Sequence, residues 1–328
     1  MINEKLLREI QKDLENHIEK LNFGGQPEEL YEPISYLMEL GGKRIRPLLT
    51  LLAYRLYRDD YKEVLTPAVA VEVFHNFTLM HDDIMDNAPL RRGEPTVHKK
   101  WNANTAILSG DVMLVKAYEM LLEIQEDKLA VCLARFNRTA AEVCEGQQFD
   151  MNFENREKVS EEEYLNMIRL KTAVLLGFSL QLGALLAGAP AGDSERLYDF
   201  GVNIGIGFQL KDDLLDVYAD KSKFGKQVGG DILSNKKTYL LIKALEAAED
   251  GQARELNHWL RSKNFDPEEK VGTVTRIYDQ LNIKKLTEQK MKSYFDSGFD
   301  QLAALNIKNA ENLKLLWRFT HNLVNREK

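Results

Sequence analysis

Two short acidic patterns stand out as able to do chemistry: Asp82-Asp83-Ile84-Met85-Asp86 and Asp212-Asp213-Leu214-Leu215-Asp216, each inside a long segment with helical apolar spacing. On a helix, residues four apart differ by about 40° in azimuth and about 6 Å in height, so Asp82 shares a face with Asp86, and Asp212 with Asp216. Each pair forms a two-carboxylate clamp. Three carboxylates within one turn repel one another, and a cation gives that crowding a purpose. Hard divalent ions such as Mg²⁺ take oxygen ligands, commonly one or two carboxylates completed by substrate phosphates and water. Two facing clamps are therefore expected to hold one diphosphate. A third acidic pair, Asp59-Asp60, has Glu63 where another such pattern would place its last aspartate and no matching basic context after it, and it reads as a solvated turn.

The elements that must carry these clamps read as helices. Only eight prolines occur in 328 residues, and Thr105 to Ile124, Glu161 to Ala187 and Ser194 to Asp216 keep three- and four-residue apolar spacing. Ala189-Pro190-Ala191-Gly192 breaks the pattern, with Asp193 and Ser194 as cap candidates for the next helix. Pro89, Gly93 and Pro95 follow the first motif, and the Gly225 to Gly230 stretch follows the second, so each clamp is expected at a helix C-terminus, where the backbone dipole also attracts a cation. A further helical region is expected from Asn264-Phe265-Asp266-Pro267. With no Pro/Gly/Ser linker, the chain reads as all-α: one large helical bundle around a central cavity, a single domain over residues 1–328.

Composition narrows the functional classes. The chain is 44% hydrophobic with a net charge of -7, enough for a large core and without a signature of disorder. Its mild acidity argues against nucleic-acid binding. No run of 18 consecutive apolar residues occurs, and Met1 to Phe23 alternates charged with apolar residues, so neither a membrane span nor a signal peptide is expected. Cys132 and Cys144 are far from any CxxC spacing and are expected to pack in the core. A cytoplasmic location follows from these readings.

Phosphate charge left over by the metals would need cations. Gly41-Gly42-Lys43-Arg44-Ile45-Arg46-Pro47 offers them in a glycine-bounded turn, and Arg91-Arg92-Gly93 begins five residues beyond Asp86. The arginine fork grips phosphate oxygens, while lysine acts as a point charge.

These motifs, in this order, resemble the trans-isoprenyl diphosphate synthases. His75 to Asp86, continuing through Leu90-Arg91-Arg92-Gly93 and Pro95-Thr96-Val97-His98, looks like that family's first aspartate-rich region, and Gly41 to Pro47 resembles its isopentenyl diphosphate loop. Phe208 to Asp216, then Phe224 to Asp231 and Lys236-Lys237-Thr238, looks like its second region. The resemblance implies the isoprenoid synthase fold. It also implies that Asp82, Asp86 and Asp212 ligate three Mg²⁺ on an allylic diphosphate, with Asp83, Asp213 and Asp216 as ligands or just behind them. Arg91, Lys171, Lys226 and Lys236 would complete that cage, while Lys43, Arg46, His75 and Arg92 would hold isopentenyl diphosphate. Thr172 and Gln209 would face the reacting carbons, and Gln147 with Asp150 matches a further motif that would line the cavity, with Asp150 counted among the metal carboxylates. A homodimer is expected on the same ground.

The implied reaction is a head-to-tail condensation. Charge developing on the departing diphosphate must be stabilised, the allylic cation shielded from water, and the final proton lost, with the departed diphosphate as the base. Product length would be set by bulk near Phe77 and Thr78. Phe77 lies about 140° from Asp82 on an ideal wheel, so its role rests on the resemblance. Phe-Thr before an uninterrupted first motif favours a C20 geranylgeranyl product over C15 farnesyl. A terpene cyclase would leave Lys43, Arg46 and Arg92 without purpose, a non-catalytic synthase subunit would not need both aspartate motifs, and a purely structural helical protein would show no Mg²⁺-dependent turnover.

Overall fold

The computed structural model describes residues 2–219 and 229–324, with side chains from residue 4 onward. It is all-α apart from a two-residue antiparallel pairing of β1 (Leu90–Arg91) with β2 (Glu94–Pro95). The chain forms two compact units, neither of them continuous in sequence. The expected helix break after Ala187 is present, with Gly188 at φ +74°, but the next helix begins at Ala191. Asp193 and Ser194 therefore lie inside its first turn, and their N–H groups both donate to the Pro190 carbonyl instead of marking a cap. Cys132 is buried as expected, whereas Cys144 is on the surface.

The first unit comprises residues 1–139, 175–198 and 305–319. Its elements include α1 (Ile2–Ile18), α2 (Glu28–Glu39), α3 (Ile45–Tyr54), α4 (Leu65–Met85), α5 (Val97–Lys100) and α6 (Ala103–Leu121). It also takes the first half of α7 (Glu126–Glu154), nearly all of α9 (Val174–Ala187) and the start of α10 (Ala191–Tyr218). Helix α4 is apolar nearly all round, as a core helix must be, and packs against α3 and α6. Pro67 falls in its first turn, where no helical N–H is lost. The helix stops at Asp86, followed by Asn87 at φ +49° and Pro89. Asn102 caps α6 by accepting from the Thr105 N–H at 2.9 Å. Gly110 of α6 admits the His81 ring; a Cβ there would fall 2.3 Å from Nε2. Phe74, Phe136 and Phe178 form the aromatic centre of this core.

The second unit comprises residues 140–174, 199–304 and 320–328. It holds the remainder of α7 and α10 with α8 (Glu161–Ile168), α11 (Gly230–Leu233), α12 (Tyr239–Ala247), α13 (Asp250–Arg261), α14 (Pro267–Gln280) and α15 (Ile283–Ala303); α16 (Ala310–Val324) ends here. A capping box starts α8: the Glu163 N–H donates to Ser160 Oγ, and the Ser160 N–H donates back to Glu163 Oε2. Asp266 caps α14, with Pro267 at its first position as the sequence leads one to expect. Between α8 and α9, Arg169–Ala173 forms one turn of π-helix, closed by the Val174 N–H donating to the Arg169 carbonyl. Two apolar clusters fill the unit, one around Leu214, Leu240, Trp259 and Ile277, the other around Phe153, Tyr164, Ile206 and Leu210.

One continuous helical stretch, Glu161–Ala187, is long and apolar enough by composition to cross a membrane, although it contains charged residues. Of its most apolar window, 78% is buried inside the protein, as in the core helix of a folded chain.

Candidate active site

In the first unit, helical geometry sorts the aspartates of the motif. Asp82 and Asp86 sit on the more open side of α4, half-buried and exposed respectively, while Asp83 is turned inward and 3% exposed. Both Asp83 oxygens are engaged by Arg91, which donates from Nε and Nη2 at 2.7 Å each. Burial works against the Arg91 charge, but the Asp83 carboxylate more than offsets it and raises its pKa. Asp83 thus anchors an arginine, and the two outer aspartates keep the open face of the motif.

Behind the clamp is a basic cluster. His75 lies two turns before Asp82 on nearly the same stripe of α4. Burial holds its pKa well below the usual value, and Arg46, Arg92, Arg91 and Arg44 push it further down. The imidazole is therefore neutral among four guanidinium groups. Arg46 is also depressed by burial, to about 10, with Glu72 opposing and Arg92 adding to the effect. Its Nε is buried without a hydrogen-bond acceptor. Arg92, at φ +56°, donates to the Gly41 carbonyl and lies over Gly42, where a Cβ would come within 2.9 Å of the guanidinium. Gly42 itself is at φ +141°, so the glycine turn is required by both backbone and contact. Lys43 is exposed beside it.

Arg44, between two residues of the expected anion site, has another task. It is 5% exposed and donates to Glu72 Oε1 at 3.0 Å and to the Met38 carbonyl at 2.5 Å, tying the turn to α4 and α2. Glu72 was not singled out from the sequence, where it is one acid among many; its place in an otherwise apolar run, Val69 to Phe74, is the available signal.

Phe77 is 9% exposed, with its ring against Phe74 (5.6 Å between centres) and His81 (4.8 Å). Thr78 donates to the His75 carbonyl of its own helix at 2.7 Å.

The second unit repeats the sorting. Asp213 is 3% exposed, accepts from the Tyr164 hydroxyl at 2.5 Å and also from the Tyr239 N–H at 3.3 Å. Burial lifts its pKa to about 7 against those hydrogen bonds. Asp212 is exposed and Asp216 half-buried, one turn apart on the same face, with Gln209 one turn earlier. Asp216 accepts from the Asp231 N–H at 3.0 Å, and its carbonyl accepts from the Gly229 N–H at 2.7 Å, folding the returning chain against the motif. Asp231 carries a raised pKa through burial, with Lys236 opposing it and Asp216, Asp150 and Asp212 adding to it. Asp216, Asp150 and Asp212 thus all act on Asp231 within this unit. Lys171 donates to Asp150 Oδ2 at 2.7 Å from within the π turn, an irregularity that recurs at functional sites. Gly146 lets α7 approach that turn, since a Cβ would lie 2.2 Å from the Lys171 N. Thr172 and Gln147 are half-buried on the same two elements.

Lys236 is the lysine close to Asp213 and Asp231; burial alone lowers the pKa of the neighbouring Lys237, which no carboxylate pulls on. Lys226 lies outside the described residues. In this unit, Asp231 and Tyr164 are site residues that the sequence does not single out. Asp231 closes the quoted Gly229-Gly230-Asp231 run, whereas nothing in its neighbourhood distinguishes Tyr164. Among the described residues, no three His, Cys, Asp or Glu side chains converge into a metal cage made by protein alone. Paired carboxylates completed by phosphate and water do not need one.

Comparison with known proteins gives consistent matches. The family model described as polyprenyl synthetase matches residues 27–281. The short chain isoprenyl diphosphate synthase of Methanocaldococcus jannaschii is 42% identical over 286 residues, 87% of this chain and 85% of that protein. The geranylgeranyl diphosphate synthase of Methanosarcina mazei is 39% identical over 304 residues, 92% and 91% of the two chains. A crystal structure of a geranylgeranyl pyrophosphate synthase superposes with a TM-score of 0.91 at 45% identity, covering 99% of each chain.

Proposed function

This chain belongs to the polyprenyl synthetase family and is a prenyltransferase, and from that premise we propose that it condenses isopentenyl diphosphate with allylic diphosphates to a C20 product, geranylgeranyl diphosphate. The observation that carries the reading is the repeated sorting of aspartates: in each motif the second carboxylate is buried and committed to the protein, leaving the first and fifth together on an open helix face. Relatives named for the same product support the C20 assignment, with C15 as the second reading. We take residues 1–328 as one catalytic domain, because each compact unit carries one aspartate motif and neither carries both.

The division of labour follows from the chemistry. Lys43, Arg46, His75 and Arg92 are assigned to the isopentenyl diphosphate, which would bring anionic charge beside Arg46 and Arg92, whose pKa values burial lowers and neighbouring arginines lower further. Asp82, Asp86, Asp212, Asp216 and Asp150 are assigned to divalent metal on the allylic diphosphate. The fit is chemical: hard oxygen donors whose mutual repulsion adds to the effect of burial on Asp231 are what a Mg²⁺ would relieve. When bound, three Mg²⁺ would neutralise charge developing on the departing diphosphate. Asp83 holds Arg91, and Asp213 with Tyr164 holds the base of the second motif, so we assign both to positioning. Arg91, Lys171, Lys226 and Lys236 add donors to the leaving group. Thr172, Gln209 and Gln147 are assigned to the reacting carbons, and Phe77 and Thr78 to product length.

We further propose a cytoplasmic homodimer. Leu108 and Val115 of α6 and Leu122 at its C-cap recur every seventh residue and are 58%, 55% and 59% exposed, an apolar stripe suited to a second copy of the chain. Purified protein incubated with labelled isopentenyl diphosphate and C5, C10 or C15 allylic diphosphates should yield C20 product only when Mg²⁺ is present. Absence of metal-dependent turnover with every primer would overturn the reading, and a product stopping at C15 would select the alternative.

A further inference from the structure

Lys270, on α14, is 1% exposed, the most deeply buried lysine among the described residues. Its ammonium donates to Asn235 Oδ1 at 2.7 Å and to the Leu233 carbonyl at 3.3 Å, and stands 4.2 Å from the centre of the Phe265 ring. No carboxylate pairs with it among the described residues, and burial lowers its pKa. An ammonium in such a place is costly, and an apolar side chain of similar volume would fill the same space without that penalty. Its presence is explained by what it holds.

The first acceptor, Asn235, lies in the turn from α11 to α12 and the second, Leu233, ends α11; Asp231 precedes this segment within α11 and Lys236 follows Asn235 in the turn. The turn is tightly made. Asn235 sits in the left-handed region at φ +56°, the Lys236 N–H donates to the Asp231 carbonyl at 2.9 Å, and Asn235 Nδ2 donates to the Leu260 carbonyl at 3.1 Å. Its entrance is fixed by the same helix: Gly229, at φ +88°, lies against Val271, where a Cβ would come within 2.7 Å of Cγ2. Lys270 and Val271, neighbours on α14, therefore meet the segment on either side of Asp231.

We propose that Lys270 is a positioning residue for the allylic diphosphate, bridging Leu233 and Asn235 so that the turn presents Lys236 to the leaving group and keeps Asp231 against Asp216. The inference rests on the family reading above and extends it to a residue that touches neither substrate nor metal. Its effect is selective, because the groups assigned to isopentenyl diphosphate, Arg46, His75 and Arg92, belong to the first unit.

The test is steady-state kinetics on the full chain with each substrate varied in turn, alongside melting curves. Lys270→Met keeps the volume and removes the donors. It should lower kcat about 10- to 100-fold and raise the KM for the allylic diphosphate about tenfold, with the KM for isopentenyl diphosphate changed less than about twofold. Lys270→Arg should recover part of the loss. Asn235→Gly keeps the left-handed backbone while removing both side-chain bonds, and it should reproduce the selective loss; if Lys270→Met does not fold, this variant decides. Wild-type kinetics in the folded variants, equal movement of both KM values, or a loss that merely tracks melting temperature would overturn the proposal. Failure of the wild-type protein to condense its substrates would instead overturn the proposed condensation.

Discussion

Asp82 and Asp83 are adjacent, identical and part of one motif, yet the structure requires opposite consequences for their replacement. Asp83→Asn removes the charge from a pair in which the carboxylate is 4% and the guanidinium 23% exposed, with two N–H donors at 2.7 Å. The new amide also turns a donor toward a group that only donates. Breaking a buried hydrogen-bonded pair costs about 3–5 kcal/mol, and the partial exposure of Arg91 lets water recover some of it, leaving about 2–3 kcal/mol. For a compact unit of about 150–250 residues that corresponds to a drop of about 4–12 °C in melting temperature. Asp82→Asn instead relieves crowding on the open face, and should shift melting by less than about 2 °C while lowering kcat about 10³-fold through loss of transition-state charge stabilisation. Scanning calorimetry without metal, paired with radiolabelled turnover, separates the two effects. Equal melting temperatures for the two variants, or a larger fall for Asp82→Asn, would refute the assignment of Asp83 to the protein and Asp82 to the ligand.

The depressed pKa of His75 makes the folded state bind fewer protons than the unfolded one below about pH 6.5, so this residue costs stability as pH falls through that value and contributes none above it. A diphosphate bound among the arginines would lift that pKa, so titration calorimetry near pH 6 in buffers of different ionisation enthalpy should register proton uptake on isopentenyl diphosphate binding, abolished in His75→Gln. Gly146→Ala drives a methyl group onto the Lys171 backbone and should cost about 1–3 kcal/mol, with a fall in kcat that thermal stability alone does not explain, seen by comparing turnover well below the melting temperature. Phe77→Ala removes a ring packed on Phe74 and His81 and should cost about 3–5 kcal/mol; chromatography of the products should also reveal chains longer than C20, and unchanged lengths would remove Phe77 from the set that controls length.

Much of this was legible in the sequence because helices convert spacing into direction. Four-residue intervals place Asp82 with Asp86 and Asp212 with Asp216, and the Asp266-Pro267 start of α14 could be read directly. The commitment of Asp83 to Arg91 and of Asp213 to Tyr164 could not, because each depends on a partner 8 or 49 residues away brought in by tertiary packing. Arg44 illustrates the same limit. Two residues before Arg46 in a basic turn, it is indistinguishable in sequence from its cationic neighbours, whereas in the fold, with a left-handed backbone at φ +43°, it is committed to Glu72. Asp193 and Ser194 are good capping types, yet α10 starts before them, because the Pro190 carbonyl takes the N–H groups of both.

The π turn at Arg169–Ala173 has a consequence for how this chain can vary. Five residues there occupy the axial span that four would fill in a regular spiral, so the apolar faces before and after it are out of phase by about 100°. Deleting one residue from the segment would mend the backbone ladder and yet rotate everything upstream, carrying the amine that grips Asp150 to another side of the rod. A change that repairs the local geometry would thus be expected to destroy the enzyme, and the bulge should persist through any sequence drift that preserves turnover.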